Sequence, residues 1–305
     1  MKIEYAIIIR SKTRLELLIE RFNTRAQAEF YITQSGGDFN EYELEHKIFY
    51  QSLEELQRRL GKVIKYKIID RSFLPSFIFS PNQLIIVIGQ DGLVANTAKY
   101  ANGVPIVAVN PDRERYDGIL LPYTPSNFLE GIAQVLGNEL RARTVRFAEV
   151  NLNSGQRLLA FNDLFIGASS HVSARYRITY NGTSEEHSSS GIIVSTPAGS
   201  TGWLSSVFNM AYGITGLFEE RKEPRLPTLR EEQLLFAVRE PFASIRSQTG
   251  LVCGTVNQTH PLVIESRMPS GGIIFSDGIE SDFLSFNSGA VATISVSQEI
   301  ARLVN

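Results

Sequence analysis

The sequence predicts a two-part α/β protein: an N-terminal parallel sheet covered by helices, and a β-rich, antiparallel, sandwich-like C-terminal part. Up to about residue 141, apolar runs rich in Ile and Val alternate with helical segments, a pattern typical of parallel sheets. Beyond that point, short strand-like segments follow one another with turn residues between them. A chain of 305 residues is long enough for two domains. We therefore expect one domain at 1–141 and a second at 142–284.

Strands and helices alternate in the N-terminal part. Apolar, β-branched runs predict buried strands over 3–9, 65–69, 84–88 and 104–109. Helical periodicity predicts helices over 15–32, 42–60, 93–101 and 127–136. Ligands of such sheets bind beyond the carboxyl ends of the strands, which is where the loop Gly89–Gly92 is expected.

The sequence of the C-terminal part predicts short strands joined by turns. In the segment 174–180, Ala174, Tyr176 and Ile178 alternate with polar residues, as in a half-buried strand, and Asn181-Gly182 predicts a hairpin turn. Further strands are expected over 143–152, 157–167, 188–195, 234–238, 250–256, 262–266, 272–275 and 291–296. The Glu-, Arg- and Pro-rich stretch 218–230 predicts a solvent-exposed loop.

The amino-acid composition excludes some classes of binding partner. Lys and Arg total 30 against 32 Asp and Glu, so no bulk charge favours nucleic acid or a membrane surface. Cys253 is the one cysteine, which excludes an internal disulfide and fits a reducing compartment. The first apolar run, at residues 5–9, is too short for a signal peptide or a membrane span. We expect a cytoplasmic protein that binds small molecules and neither nucleic acid nor membranes.

A loop of small residues, Gly89-Gln90-Asp91-Gly92, follows a buried strand and precedes a helix. Small residues let phosphates approach backbone N–H groups, and the following helix offers its positive end. The carboxylate of Asp91 is placed to accept a proton from a hydroxyl that is being phosphorylated. The same tetrapeptide is also a common structural turn, and the residues alone leave both interpretations open.

A second Gly-rich segment extends from Gly191 to Gly202 and contains the run Ser195-Thr196-Pro197-Ala198-Gly199-Ser200-Thr201. Pro197 restricts Thr196 to an extended conformation, and Ser200 or Thr201 is expected to cap the helix that follows. Together, the two Gly-rich loops are typical of phosphoryl transfer to an alcohol. Neither fits the Gly-x-x-x-x-Gly-Lys-Ser/Thr pattern of the common nucleotide kinases.

Other polar residues leave two interpretations open. Asn162-Asp163 interrupts an apolar strand pattern, either as a strand end satisfied by local hydrogen bonds or as an amide and a carboxylate that bind a purine or a ribose. Arg113 and Arg115 follow a parallel strand, either in a solvated loop or as phosphate ligands. No His or Cys spacing supports a zinc site, so no metal-ligating residue is predicted.

Taken in order, Gly-x-Asp-Gly, Asn162-Asp163, the run 195–201 and a late Asp277-Gly278 resemble the NAD kinase family. The resemblance covers about 84–297, and the segment Gly191–Thr201 is its most specific part. It implies an α/β N-terminal domain, a β-rich second domain, NAD bound in the cleft between them, and a tail, 285–305, that returns to the first domain. It also implies a homodimer or homotetramer.

The resemblance implies that Asp91 is the general base for the adenosine 2′-hydroxyl of NAD. ATP is the implied donor, with Mg²⁺ to neutralise the transferred phosphoryl group. The residues that it places at the nucleotides are Gly89, Gln90, Gly92, Asn110, Asn162, Asp163, Ser190, Thr196, Gly199, Ser200, Thr201, Gly202, Trp203 and Ser206.

Several positions depart from the family pattern. Gln90 replaces a glycine, Ser190 an aspartate, Trp203 a tyrosine and Ile279 a glutamine, and the loop after Asn110 is replaced. Three functions therefore stay open: an NAD kinase, a kinase for another alcohol such as a sugar or nucleoside derivative, and a nucleotide-binding regulatory protein with little turnover. The altered Ser190 position favours the second function, and Gln90 favours the third.

Overall fold

The computed structural model describes residues 3–137, 140–218 and 227–305. The chain divides into two compact units, one formed by Met1–Thr144 with Ala301–Asn305 and the other by Val145–Ile300. Compactness alone does not show that a segment folds by itself. The domain limits expected at 141 and 284, and the tail 285–305, therefore stay predictions.

Parallel strands form the sheet of the first unit: β1 (Tyr5–Arg10), β2 (Lys65–Asp70), β3 (Gln83–Ile88) and β4 (Ile106–Val109). They lie in the order β2-β1-β3-β4, and each neighbouring pair is parallel. The end of the chain adds one parallel contact, Leu303 opposite Ile106. Leu84 to Ile88 of β3 are all buried, as expected for a central strand covered on both faces.

Helices cover this sheet. α3 (Phe39–Leu60) and α5 (Leu129–Leu136) place Leu53, Leu56 and Ile132 in one core with residues of β1 and β3. α4 (Asp91–Ala98) follows β3 and is buried from Leu93 onward. α1 (Arg14–Phe22) and α2 (Arg25–Gln34) form a smaller core with the start of α3.

The single helix expected over 15–32 is wrong. α1 ends at Asn23, whose φ of 65° is left-handed, and the Thr24 side chain accepts the Gln27 N–H to begin α2. Asn adopts this conformation more readily than most residues, and Thr is a favoured N-cap. The short sequence Asn23-Thr24 therefore ends one helix and begins another within an apolar pattern that looks continuous.

Antiparallel strands form the second unit. They are β5 (Ala142–Leu152), β6 (Arg157–Ala160), β7 (Asp163–Ala168), β8 (Ala174–Tyr180), β9 (Thr183–Ser189), β10 (Ile192–Ser195), β11 (Leu234–Val238), β12 (Cys253–Val256), β13 (Leu262–Ser266), β14 (Gly272–Ser276), β15 (Ile279–Ser285) and β16 (Val291–Val304). One sheet contains β16-β13-β8-β9, with β5 beside β16 and β6 beside β5, and the other is β12-β11-β10-β7-β14-β15. β5 begins, and β16 ends, in the first unit.

The two antiparallel sheets share one core. Tyr176, Ile264 and Ile294 of one sheet belong to the same buried cluster as Ile166, Val194 and Phe236 of the other. Inward-facing residues of two packed sheets alternate with outward-facing ones in this way. The predicted fold class, a parallel α/β part with a β-rich, sandwich-like part, is confirmed.

Two expected strands are interrupted, and one strand was not expected. The segment 157–167 divides into β6 and β7 at Asn162, and 188–195 divides at Gly191, whose φ is 97°. β15 is polar along much of its length and pairs with β14 alone, so its sequence lacks the apolar run of a buried strand. Edge strands give a weak sequence signal for this reason.

A helix follows β10. One π-helical turn at Ser200–Leu204 leads into α6 (Ser205–Thr215), which has no fully buried residue. Most of the loop expected at 218–230 lies outside the described residues. Among the helices of the described ranges, none is long and apolar enough to cross a membrane.

Candidate functional site

Asp91 lies at the start of α4, directly beyond the carboxyl end of β3. Its Oδ1 accepts the N–H of Leu120 at 2.6 Å. Its Oδ2 has no hydrogen-bond partner within the part of the chain that the structure describes. One oxygen is thus held by the backbone and the other is available to a ligand, which is the arrangement that a general base needs.

The residues around Asp91 differ in whether they are buried or open to a ligand. Gly89 is buried and donates its N–H to the Val109 carbonyl at 3.3 Å. Gln90 is exposed, extended (φ −97°) and makes no side-chain capping bond, so its backbone conformation does not require glycine. A Cβ added to Gly92 would meet no atom within 4 Å. The surface at Gln90 and Gly92 is therefore open to a ligand.

Asn110 is used inside the protein. Its side chain is buried, donates from Nδ2 to the Tyr116 carbonyl at 2.9 Å and accepts the Asp112 N–H at 3.0 Å. These bonds close the loop that follows β4. The arginines of that loop are also engaged: Arg113 donates to the Pro122 carbonyl, and Arg115 lies 3.5 Å from Asp112 Oδ2. In this structure these side chains support the loop.

Asn162 and Asp163 form a corner between β6 and β7 that Asp277 holds. The Asp277 carboxylate accepts the N–H groups of Phe161, Asn162 and Asp163 at 3.0, 2.6 and 3.2 Å. In return, the Asp277 N–H donates to the Asp163 carbonyl at 2.9 Å. Charge-assisted hydrogen bonds of this kind are about twice as strong as neutral ones. The backbone of the corner is thereby fixed.

The side chains of Asn162 and Asp163 remain available for hydrogen bonds to a ligand. The amide of Asn162 has no hydrogen-bond partner among the described residues. Burial, and to a lesser extent the neighbouring Asp277 carboxylate, raises the pKa of Asp163 to about 7. Asp163 is 8% exposed. Asp277 thus holds the backbone of the corner, and the side chains of Asn162 and Asp163 stay available to a ligand.

The second Gly-rich segment packs against this corner. The Thr196 N–H donates to the Asn162 carbonyl at 2.9 Å, and its hydroxyl donates to the Phe161 carbonyl at 2.6 Å. A Cβ added to Gly199 would lie 2.2 Å from the Asn162 carbonyl oxygen, so only glycine fits there. Thr196 and Gly199 therefore position Asn162, and their own groups are occupied.

The expectation that Ser200 or Thr201 caps the next helix is wrong. Ser200 donates its hydroxyl to the Pro197 carbonyl at 2.8 Å, and the Thr201 hydroxyl makes no described hydrogen bond. Gly202 interrupts the helical turn with a ψ of −120°. Thr201, Gly202 and Ser206 are exposed. Chain continuity between the π turn and α6 removes the usual need for a side-chain cap.

Trp203 extends the site on the outer face of the second sheet. Its ring stacks on Phe165 at 5.6 Å between centroids, with 11° between the planes, and the Arg239 guanidinium carbon lies 5.3 Å from the ring centre. The Phe275 ring packs against both, with its centroid 4.9 Å from that of Phe165 and 6.4 Å from that of Trp203. Ser190, half-buried, donates its N–H to the Arg239 carbonyl. These rings border a cavity of about 550 Å³.

Two solved structures share this architecture. An NAD kinase from Archaeoglobus fulgidus in complex with ATP aligns with a TM-score of 0.56 at 17% identity, covering 99% of this chain and 93% of that chain. Yeast NADH kinase complexed with NADH aligns with a TM-score of 0.57 at 14% identity, covering 100% of this chain and 84% of that chain. The chain has an NAD kinase-like fold. No protein-family model and no curated protein sequence matches.

The sequence motifs name Asp91, Asn162 and Asp163 but do not predict the contacts that hold them. Asp277 was part of the predicted motif, but its clamp on residues 161–163 was not predicted. The signal was Asp277-Gly278, where Asp277 takes a left-handed φ of 54° between two strands. Phe165, Phe275 and Arg239 carried no signal, because apolar strand residues look alike whether they face a core or a ligand.

Proposed function

We propose that this protein is an NAD kinase-like phosphotransferase that uses ATP to phosphorylate the adenosine 2′-hydroxyl of NAD. The observation that carries the proposal is the carboxylate of Asp91 on an NAD kinase-like fold: the Leu120 N–H holds one oxygen, and the other has no hydrogen-bond partner among the described residues. The nucleotides in complex with the two structural neighbours, ATP and NADH, support the proposed substrate class.

In this mechanism Asp91 acts as the base. The free Oδ2 accepts the proton of the acceptor hydroxyl while that oxygen attacks the γ-phosphorus of ATP. The bond between the γ-phosphorus and the bridging oxygen breaks, and ADP leaves with the electron pair. The Leu120 N–H keeps the other carboxylate oxygen in place, so the base does not rotate away from the hydroxyl.

The corner at Asn162 and Asp163 binds the dinucleotide. The unpaired amide of Asn162 offers both a donor and an acceptor to a ribose or a purine edge. With a pKa of about 7, Asp163 is able to donate a hydrogen bond in its protonated form or accept one in its ionised form. Trp203, already stacked on Phe165, adds a flat surface of the kind that an adenine or nicotinamide ring packs against.

ATP is the proposed donor, and Mg²⁺ would enter with it. Among the described residues, no group of three or more His, Cys, Asp or Glu side chains could hold a metal ion. Mg²⁺ at nucleotide sites commonly uses phosphates, waters and only one or two carboxylates, so this residue set fits a metal brought in by the nucleotide. Bound there, Mg²⁺ would neutralise charge on the phosphates. Gly92 leaves backbone free for the phosphates, and Gln90 lies beside it.

The remaining proposals concern the cell and the assembly. We place the protein in the cytoplasm as a homodimer or homotetramer that binds no nucleic acid and no membrane. Light scattering of the purified protein, with and without NAD, tests the assembly.

The test of the proposed function is formation of NADP from NAD and ATP, followed by chromatography. Asp91→Asn is expected to lower turnover by about 10²- to 10⁴-fold, the usual contribution of a general base, with NAD affinity unchanged. Asp117→Asn, a change of an exposed carboxylate in a neighbouring loop, is the matched control and is expected to behave as wild type.

Two results would contradict the proposal. An Asp91→Asn variant that keeps more than about a tenth of wild-type turnover removes Asp91 from the role of base. A wild-type protein that phosphorylates a sugar or a nucleoside and leaves NAD unchanged assigns the chain to the second class of kinase.

A further inference from the structure

A cavity of about 610 Å³ borders the exposed side of β8 and β9 in the second unit. The loop 242–247 and Arg267 complete its wall. None of the lining residues belongs to the set proposed to bind NAD or ATP. The volume falls within the range of small-molecule sites.

The cavity carries uncompensated positive charge. Of the arginines near it, Arg177 and Arg267 form a closed cluster with Glu186 and Glu265, with contacts of 2.6 to 4.0 Å. Two cations and two anions leave that cluster neutral. Arg175 and Arg246 also line the cavity, and their guanidinium groups have no acceptor in the described ranges. The arginines and Glu186 that line the cavity give a net charge of +2, and Glu185, which bonds the lining His187 at 2.9 Å, lowers the local net charge to about +1.

The loop that carries Arg246 is held in a tight turn. Ser247 is buried and donates its hydroxyl to the Phe242 carbonyl at 2.6 Å, and the Ser244 N–H donates to the Ser247 carbonyl at 3.0 Å. Phe242 N–H bonds the Ser188 carbonyl of β9 at 2.9 Å. These bonds fix the loop to the sheet edge, so Arg246 projects from a rigid support.

Apolar side chains stand beside the free arginines. Ile245 is fully exposed and Phe242 is 64% exposed, and both line the cavity. Exposed apolar side chains next to arginines suit an anion with an apolar body. A guanidinium fork matches the oxygens of phosphate, and two such groups match its two negative charges.

We infer that this cavity binds a phosphate monoester with an apolar or aromatic body, held by Arg175 and Arg246 and packed on Phe242 and Ile245. The phosphate lies between the two guanidinium groups, with the hydroxyl of Ser188 as a further donor. The body of the ester covers Ile245. The site is a second ligand site of the chain, and it makes no use of Asp91, Asn162 or Asp163.

Calorimetry at low ionic strength tests the site, with phenyl phosphate as the ester, inorganic phosphate as the anion alone and benzyl alcohol as the neutral body. Phenyl phosphate is expected to bind the wild-type protein, and Arg175→Gln/Arg246→Gln to weaken that binding about tenfold or more. Arg143→Gln/Arg302→Gln removes the same charge from two exposed arginines elsewhere and is expected to change affinity less than about twofold. Ile245→Ser is expected to weaken phenyl phosphate and leave inorganic phosphate unchanged.

Three results would overturn the inference. The first is no binding of phenyl phosphate up to about 10 mM. The second is an equal loss in both double variants, which would show attraction by bulk charge. The third is unchanged binding in Arg175→Gln/Arg246→Gln, which would place the ester elsewhere on the chain. Because all four arginines are surface residues, circular dichroism of each variant is expected to match the wild type.

Discussion

Replacing Asp163 by Asn tests the electrostatics of the candidate site. Burial and the nearby Asp277 carboxylate raise the pKa of Asp163 from 3.8 to about 7 in the folded protein. Between these pH values the folded state holds a proton that the unfolded chain releases. The free energy of unfolding therefore falls as pH rises from about 4 to about 7, and the loss is complete above pH 7.

The size of the change in the free energy of unfolding follows from the change in the pKa of Asp163. A pKa moved from 3.8 to about 7 corresponds to about 4 kcal/mol of stability lost across the interval. Asp163 is 8% exposed, so solvent screens little of this. Asn has nearly the same shape and no charge. Asp163→Asn is therefore expected to match wild-type stability to within about 1 kcal/mol near pH 4 and to exceed it by up to about 4 kcal/mol near pH 8.

The assay is urea unfolding across this pH range, followed by tryptophan fluorescence. Trp203 is the single tryptophan and stacks on Phe165 of the strand that begins with Asp163, so its signal reports the second unit. Asp117→Asn, an exposed carboxyl with no such burial, serves as the control and is expected to follow the wild type at every pH. If the stability difference between Asp163→Asn and wild type stays constant from pH 4 to pH 8, Asp163 ionises normally and the argument from burial is wrong.

Four further variants test whether residues of the candidate site bind nucleotide or support the fold. Asn162→Ala is expected to weaken NAD binding by about 1–3 kcal/mol in calorimetry without lowering the melting temperature; unchanged affinity would return Asn162 to a structural role. Gly199→Ala is expected to lower the free energy of unfolding by at least about 2 kcal/mol, because its Cβ would lie 2.2 Å from the Asn162 oxygen, whereas Gly92→Ala, with open space, is expected to be neutral. Gln90→Gly is expected to lower the KM for ATP in steady-state kinetics, and slower turnover with every donor tested would show that Gln90 is adapted to the site.

The sequence predicts the parallel sheet and the position of Asp91 beyond β3 because the signals are local. Each buried strand of the first unit is a run of β-branched residues, and Gly89-Gln90-Asp91-Gly92 follows one of them directly. The carboxyl end of a parallel strand is a place where side chains meet ligands. The sequence therefore predicts that Asp91 lies at the edge formed by the carboxyl ends of the strands, although it does not predict the contacts of Asp91.

Asp277-Gly278 is a local signal for a turn, but it does not show which residues the Asp277 carboxylate bonds. Asp277 bonds residues that precede it by 114 to 116 positions, and only the antiparallel pairing of β7 with β14 brings them together. Burial is the larger cause of the raised pKa of Asp163, and the Asp277 carboxylate adds to it. Sequence pattern fixes which residues face inward, and it does not fix which two polar residues meet across a sheet.

The polar residues of the motif form two groups, those whose side chains are hydrogen-bonded within the protein and those whose side chains are not. Thr196 and Asn110 look like ligand residues in sequence, but their side-chain groups are consumed by carbonyls and N–H groups of their own unit. The free oxygen of Asp91 and the amide of Asn162 are not consumed. Because an unpaired buried or half-buried polar group costs stability, a fold retains it where a ligand supplies the missing partner. The chemistry of the proposed kinase therefore rests on the second group, and the first group holds it in place.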